Sequence, residues 1–137
     1  MKRIFSILVF ISSLPLFAQI EGQDSLLIFE INFDLDSRRL SKIEKSRIDS
    51  LIEFMPIDLL KHVEIYGHTD SLAGFEYNRE LSKARVISAL RYLEIKGLDP
   101  LDVKTDYYGE ERPKYNNDPE TRYKNRRVEI HFYISKA

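Results

Sequence analysis

Residues 62–97 read HVEIYGHTDSLAGFEYNRELSKARVISALRYLEIKG, and this stretch decides the fold. Residues 62–67 alternate, with Val63 and Ile65 inward, which predicts a strand. A polar loop follows from His68 to Phe75. From Glu76 to Lys96, the residues Val86, Ala89, Leu90 and Leu93 recur at helical spacing, the inward stripe of an amphipathic helix. Gly97 suits the position just past that helix, because it accepts a left-handed backbone without a Cβ clash. Pro100 then blocks continuation. A strand, a loop and a long helix in that order are the start of a crossover unit.

Outward from this unit the same alternation continues. Leu27, Phe29, Ile31 and Phe33 share one face of a strand predicted at 27–33, and Asp34 to Ser37 form a polar turn. Ser41-Lys-Ile-Glu44 fits a capping box, with the Ser oxygen on a backbone N–H and the Glu reaching back. The helix after it places Ile43, Ile48, Leu51, Ile52 and Met55 near one stripe, and Pro56 marks its end. Residues 102–108 are a third strand with weaker alternation. Gly109 to Lys124 is polar and irregular, with a helical turn after Pro119. Residues 126–134 are the clearest strand: Val128, Ile130, Phe132 and Ile134 face one way and Arg127, Glu129, His131 and Tyr133 the other. The order is βαβαβ, then a loop, then β. Alternation predicts one wet sheet face. The expected fold is therefore an α/β (α+β) two-layer sandwich, with one mixed sheet and both helices on one face.

The first eighteen residues read as a segment outside the fold. Lys2 and Arg3 precede an apolar run, Ile4 to Phe17, interrupted only by Ser6, Ser12, Ser13 and Pro15, and Ala18 supplies a small residue before Gln19. That order is a secretory signal peptide; the run is short for a membrane span, so an uncleaved anchor is the lesser alternative. Residues 19–26 are expected to be a flexible leader and 27–137 the domain. The chain carries no cysteine, hence no disulfide and no site for an N-terminal lipid. Its formal charge is −1, and loss of Lys2 and Arg3 with the signal takes it to −3. That balance argues against a nucleic-acid ligand, which calls for a basic surface. No membrane span is expected in the mature chain.

The chemistry-bearing residues cluster after the second strand: Gly67-His-Thr-Asp-Ser71, Tyr77-Asn78 and Leu81-Ser82-x-x-Arg85. Ligands of α/β sheets bind beyond the carboxyl ends of strands. Asn78 and Arg85 lie seven residues apart, nearly two helical turns, and so share a face. Asp70 enters from the preceding loop. An acid and a guanidinium held close without full pairing suit a ligand bearing both an ammonium and a carboxylate, such as an amino-acid α-centre. Asn78 adds an amide, and the helix N-terminus adds free N–H groups. On residue types alone, a plain Asp70–Arg85 ion pair that orients the loop is the preferred reading.

These residues, together with Ile31-Asn-Phe33-Asp, Ser37, Gly109-Glu110, Pro113 and Asn125-Arg-Arg-Val128, resemble the OmpA-like peptidoglycan-binding domain of outer-membrane protein A, peptidoglycan-associated lipoprotein and flagellar stator proteins. The resemblance spans residues 28–134 and rests on joint order and spacing. It implies a non-catalytic domain in the periplasm, associated with the cell wall or outer membrane through peptidoglycan. The implied ligand is the diaminopimelate residue of the stem peptide. It assigns the ligand ammonium to Asp70 and the carboxylate to Arg85. Asn78, Thr69 and Arg126 fall on further pocket positions, and Asp36 on the pocket edge. The sequence departs from the family pattern at Gly74, one place late after Ala73, at Val86 and at Tyr107.

Other constellations carry less. His62, His68 and His131 lack metal-ligand spacing, so no metal and no cofactor are expected. His68, Asp70 and Ser71 are too close in sequence to point at one another as a triad. Asp34, Asp36 and Asp70 beside Arg85 should stay ionised, which favours binding over proton transfer. Arg122, Lys124, Arg126 and Arg127 read equally as contacts to an anionic polymer or as a solvated strand start. Tyr107, Tyr108, Tyr115 and Tyr123 are assigned to sheet packing before glycan stacking. Two rivals remain: a module docking other envelope proteins through the same fold, and a wall hydrolase for which no acid or nucleophile is found.

Overall fold

A computed structural model describes residues 24–98 and 102–136. The predicted signal segment, most of the predicted leader and Pro100 lie outside them. Strands β1 (Ser25–Asn32), β2 (Leu60–Gly67), β3 (Val103–Tyr107) and β4 (Arg127–Ile134) form one sheet in the order β1-β4-β2-β3. Helices α1 (Lys42–Phe54) and α2 (Phe75–Ile95) follow β1 and β2. β1 and β2 each run antiparallel to β4, whereas β2 and β3 are parallel. The parallel pair is the one joined by a long helix, as a crossover requires. The sheet is mixed and the architecture α/β, as expected. β1 starts at Ser25, so the last two leader residues are strand.

The core is the sum of the predicted stripes. Ile31, Val63, Ile65, Val128, Ile130 and Phe132 from the sheet meet Ile48 of α1 and Val86, Ala89 and Leu93 of α2, all nearly fully buried. Ile43 departs from its predicted stripe and is 73% exposed. It lies five residues before Ile48, which rotates it off the buried face. The capping box is half formed. Ser41 Oγ accepts from Glu44 N at 3.2 Å, but Glu44 Oε2 turns to Arg47 at 2.7 Å instead of reaching back. α2 ends as predicted: Gly97 has φ +89°, and the N–H groups of Gly97 and Leu98 return to Glu94 and Leu93, both at 3.0 Å. This paired closure satisfies carbonyls that the helix end would otherwise leave open.

Two glycines let α2 lie close to the sheet end. A Cβ on Gly67 would come closer than 3.0 Å to the Ser82 carbonyl oxygen and to Val86 Cγ2. Gly109, at φ +56°, sits against the α2 backbone at Arg79, and its N–H donates to Ser82 Oγ at 3.0 Å. Gly109 O in turn accepts from Thr69 N at 2.8 Å. The loop after β2 is thereby fixed both to α2 and to the segment after β3.

The helix-free face of the sheet is wet only in part. Arg127 is 3% and His68 3% exposed there, and Glu129 and His131 are partly buried. Their side chains pack with Tyr66 and Tyr108 at the centre of this face, while Leu26, Ile28 and Lys104 stay exposed at its edges. The irregular stretch after Gly109 closes on Asn125, which is fully buried. Asn125 Oδ1 accepts from the backbone N–H of Lys114 and Tyr115, and its Nδ2 donates to Tyr115 O and Asn117 Oδ1. A 3-10 turn at Arg122–Asn125 supplies the predicted helical turn.

Candidate functional site

Beyond the ends of β1 and β2, a cavity of about 290 Å³ is bordered by Asp36, Thr69, Asp70, Asn78, Arg85 and Arg126. All six predicted site residues therefore meet in one place. Leu35, Leu72, Ala73, Tyr77 and Leu81 complete its wall. Tyr77, Leu81 and Arg85 recur every four residues along α2, so helical spacing alone could have added Tyr77 and Leu81. Leu35 and Leu72 are 60% and 50% exposed and form an apolar rim.

The predicted Asp70–Arg85 ion pair is not formed. Asp70 Oδ2 instead accepts from Arg126 Nη1 at 3.2 Å, while Oδ1 accepts from Leu72 N at 3.1 Å and turns the loop. Arg126 Nε is held by the Phe33 carbonyl at 3.0 Å, so the Asp70 partner is itself anchored to the end of β1.

Arg85 is fully buried and makes no ion pair among the described residues. Its Nε donates to Ser37 O at 2.8 Å, Nη1 to His68 O at 3.1 Å and Nη2 to Asp34 O at 3.3 Å. The turn at Asp34–Ser37 and the loop after β2 thus wrap the guanidinium with three neutral carbonyls. Five N–H donors minus these three leave one on each terminal nitrogen, the number a carboxylate takes in a two-point contact. Burial lowers the Arg85 pKa to about 10, against the pull of Asp70, so the group stays charged at neutral pH. Its guanidinium also lies 5.2 Å from the Phe33 ring centre.

The other residues brace the cavity. Asn78 is 1% exposed, and its Nδ2 donates to Ala73 O at 3.0 Å and to Asp70 O and Glu110 Oε1, both at 3.3 Å. The Asn78 amide nitrogen is thus engaged in holding the loop. Thr69 Oγ1 donates to Asp70 O at 2.9 Å. Asp36 stands in a left-handed turn at φ +53° and accepts from the Tyr77 hydroxyl, which closes the rim between that turn and α2. The basic run divides. Arg126 enters this site, Arg127 goes to the opposite face, and Arg122 and Lys124 stay on the 3-10 turn. No cluster of three metal-ligating side chains occurs among the described residues, and no helix there is long and apolar enough to cross a membrane.

The class so defined is a two-layer α/β sandwich with a charged pocket at one end of its sheet. The chain belongs to the OmpA family, whose profile matches residues 32–127. Among curated relatives, outer membrane porin F of Pseudomonas fluorescens is 34% identical over 73% of this chain and 31% of its own length. Outer membrane protein A of Bordetella avium is 33% identical over 76% and 54%. Peptidoglycan-associated lipoprotein of Pseudomonas putida is 39% identical over 50% and 42%. The chain thus spans about a third to a half of the length of these relatives. Among solved structures, the C-terminal domain of Helicobacter pylori MotB superposes with TM-score 0.67 and 27% identity, covering 80% of this chain and 86% of that one. The OmpA-like domain of FopA1 from Francisella tularensis gives 0.69 at 22% identity, covering 85% and 77%, a likeness of fold.

Proposed function

We propose that the domain binds the diaminopimelate-containing stem peptide of peptidoglycan, non-covalently and without catalysis, in the bacterial envelope. The observation that carries this reading is Arg85, a buried cation surrounded by neutral carbonyls at the wall of a cavity that also holds a carboxylate. Burying an unpaired charge is costly, and a ligand carboxylate would offset that cost. Asp70 keeps acceptor capacity beyond Leu72 and Arg126 for the ligand ammonium. Arg126 then serves as the second cation that steadies Asp70. Membership of the OmpA family and likeness to a peptidoglycan-associated lipoprotein support the polymer as the source of that zwitterion.

Calorimetric titration with muropeptides tests it. A diaminopimelate stem should bind, and a lysine stem, which lacks the second carboxylate, should bind at least about tenfold more weakly, the result of leaving Arg85 unpaired. Equal binding of the two by the wild type would sink the proposal without any variant. Arg85→Ala should cost about 2–5 kcal/mol of binding, as for truncation of one partner in a desolvated charged pair.

A further inference from the structure

The helix-free face of the sheet carries a second concavity, of about 630 Å³, bordered by Tyr66, Tyr108, Arg112, Arg127, Glu129 and His131. It shares no residue with the Asp70 cavity. Buried polar groups are normally paired, and here several are not. Arg127 has no hydrogen-bond partner at Nε or Nη1, nor has His68 at Nδ1 or His131 at Nε2, and all four atoms lie beneath the surface. Arg127 Nη2 makes only long contacts, 3.5 Å to Arg112 O and 3.5 Å to Glu129 Oε2.

Acceptors stand beside these donors. Glu129 Oε2 lies 3.2 Å from His68 Nε2, and its carboxyl is held down at a pKa of about 2, chiefly by that contact. Glu64 accepts from the hydroxyls of Tyr66 and Tyr133 at 2.5 and 3.1 Å. Rings fill the space between. Tyr66 and Tyr108 are near parallel with centroids 6.0 Å apart, His131 meets Tyr66 edge-on at 5.0 Å, and Arg112 lies 3.8 Å over Tyr108.

This mixture selects a ligand class. An anion would meet Lys104, Arg112 and Arg127 but also the carboxylates of Glu64 and Glu129. A cation would meet the reverse, and an apolar segment would cover the exposed Lys104 and Arg112 and the part-buried Glu129 without offering them partners. A neutral polyol uses donors and acceptors together and rests its C–H faces on the rings. We propose that this face is a saccharide subsite for the N-acetylated glycan strand of the polymer whose stem enters the Asp70 cavity; it rests on the stem reading given above for the choice of sugar. Hydroxyl and acetamido oxygens accept from Arg112 and Lys104, and sugar hydroxyls donate to Glu129. The adjacent residues Arg126 and Arg127 serve one site each.

Amide NMR mapping of the labelled protein with two separate probes tests this. A peptide-free tetramer of β-1,4-linked N-acetylglucosamine should move the amides of Tyr66, Tyr108, Glu129 and His131 and leave those of Asp70 and Arg85 unmoved. A sugar-free diaminopimelate stem peptide should do the opposite. Arg112→Ala and His131→Ala should weaken tetramer binding about fivefold each, the worth of one hydrogen bond, with stem binding unchanged. The saccharide subsite is overturned if the tetramer leaves this face unmoved while the stem peptide binds. It is overturned equally if only a uronate or sulfated polysaccharide moves it, which would mark an anion site. Loss of stem binding alone, with tetramer shifts retained, would refute the stem reading and not the subsite.

Discussion

Arg85 is the bulkiest fully buried side chain among the described residues, and its position explains why residue types alone misread it. An acid and a base near each other in sequence suggest an ion pair. What decides otherwise is long-range: the carbonyls of Asp34 and Ser37 come from a turn some fifty residues earlier, and Arg126 arrives from the opposite end of the chain to take Asp70. The membership of the site was legible, because the loop after a strand and one face of a helix converge wherever such units fold. The pairing inside it was not, because it depends on which loops close over the helix. Gly67 shows the same at smaller scale. Its motif position was visible, but its reason, the Ser82 carbonyl pressed against it, is tertiary. Gly67→Ala should destabilise the domain by about 1–3 kcal/mol, the usual effect of overpacking. Urea unfolding would measure it; an unchanged midpoint would mean that α2 retreats freely from β2.

At the scale of elements, helix ends and strand faces were the most readable features. Gly97 closes α2 by the expected left-handed turn, and β4 buries Val128, Ile130, Phe132 and Ile134 as period two requires. The start of α1 rests on Ser41 Oγ, since Glu44 has turned to Arg47. Ser41→Ala should therefore cost about 1 kcal/mol, the ordinary worth of such a cap. Glu44→Gln, by contrast, should leave the helix start intact, and circular dichroism melts of the two variants would separate them. The basic run was illegible as a unit because period two divides it. Arg126 stands just before β4 and Arg127 is its first residue, so neighbours in sequence serve opposite faces of the sheet.

Across the whole molecule, the helix-free face contributes to the response to acid. Burial holds the His68 pKa below its ordinary 6.5, and this outweighs the pull of Glu129; Glu129 is itself lowered from 4.5 to about 2, first by His68. Both groups bind protons less readily folded than unfolded, so stability rises with pH through each window. The melting temperature should fall as pH drops below about 6.5, where unfolded His68 gains a proton and the folded side chain resists it. It should fall again between about 4.5 and 2 as Glu129 is neutralised. His68→Gln should flatten the first decline in a calorimetric pH series and leave pH 8 stability closer to wild type; a decline of the same size in that variant would remove His68 as its cause. The sheet order was only partly readable, since alternation gives faces and not neighbours. That β4 returns between β1 and β2 is a long-range fact.

That strand order also sets how the molecule carries load. Ser25 of β1 pairs with Ile134 of β4, and Asn32 with Arg127 beside the pocket, so the outer ends of both strands emerge at the pole opposite the Asp70 cavity. With the proposed stem peptide held in the pocket, a pull against the chain before Ser25 would run along the strands. It shears the rungs of β1, 8 residues long, in parallel instead of unzipping them one by one.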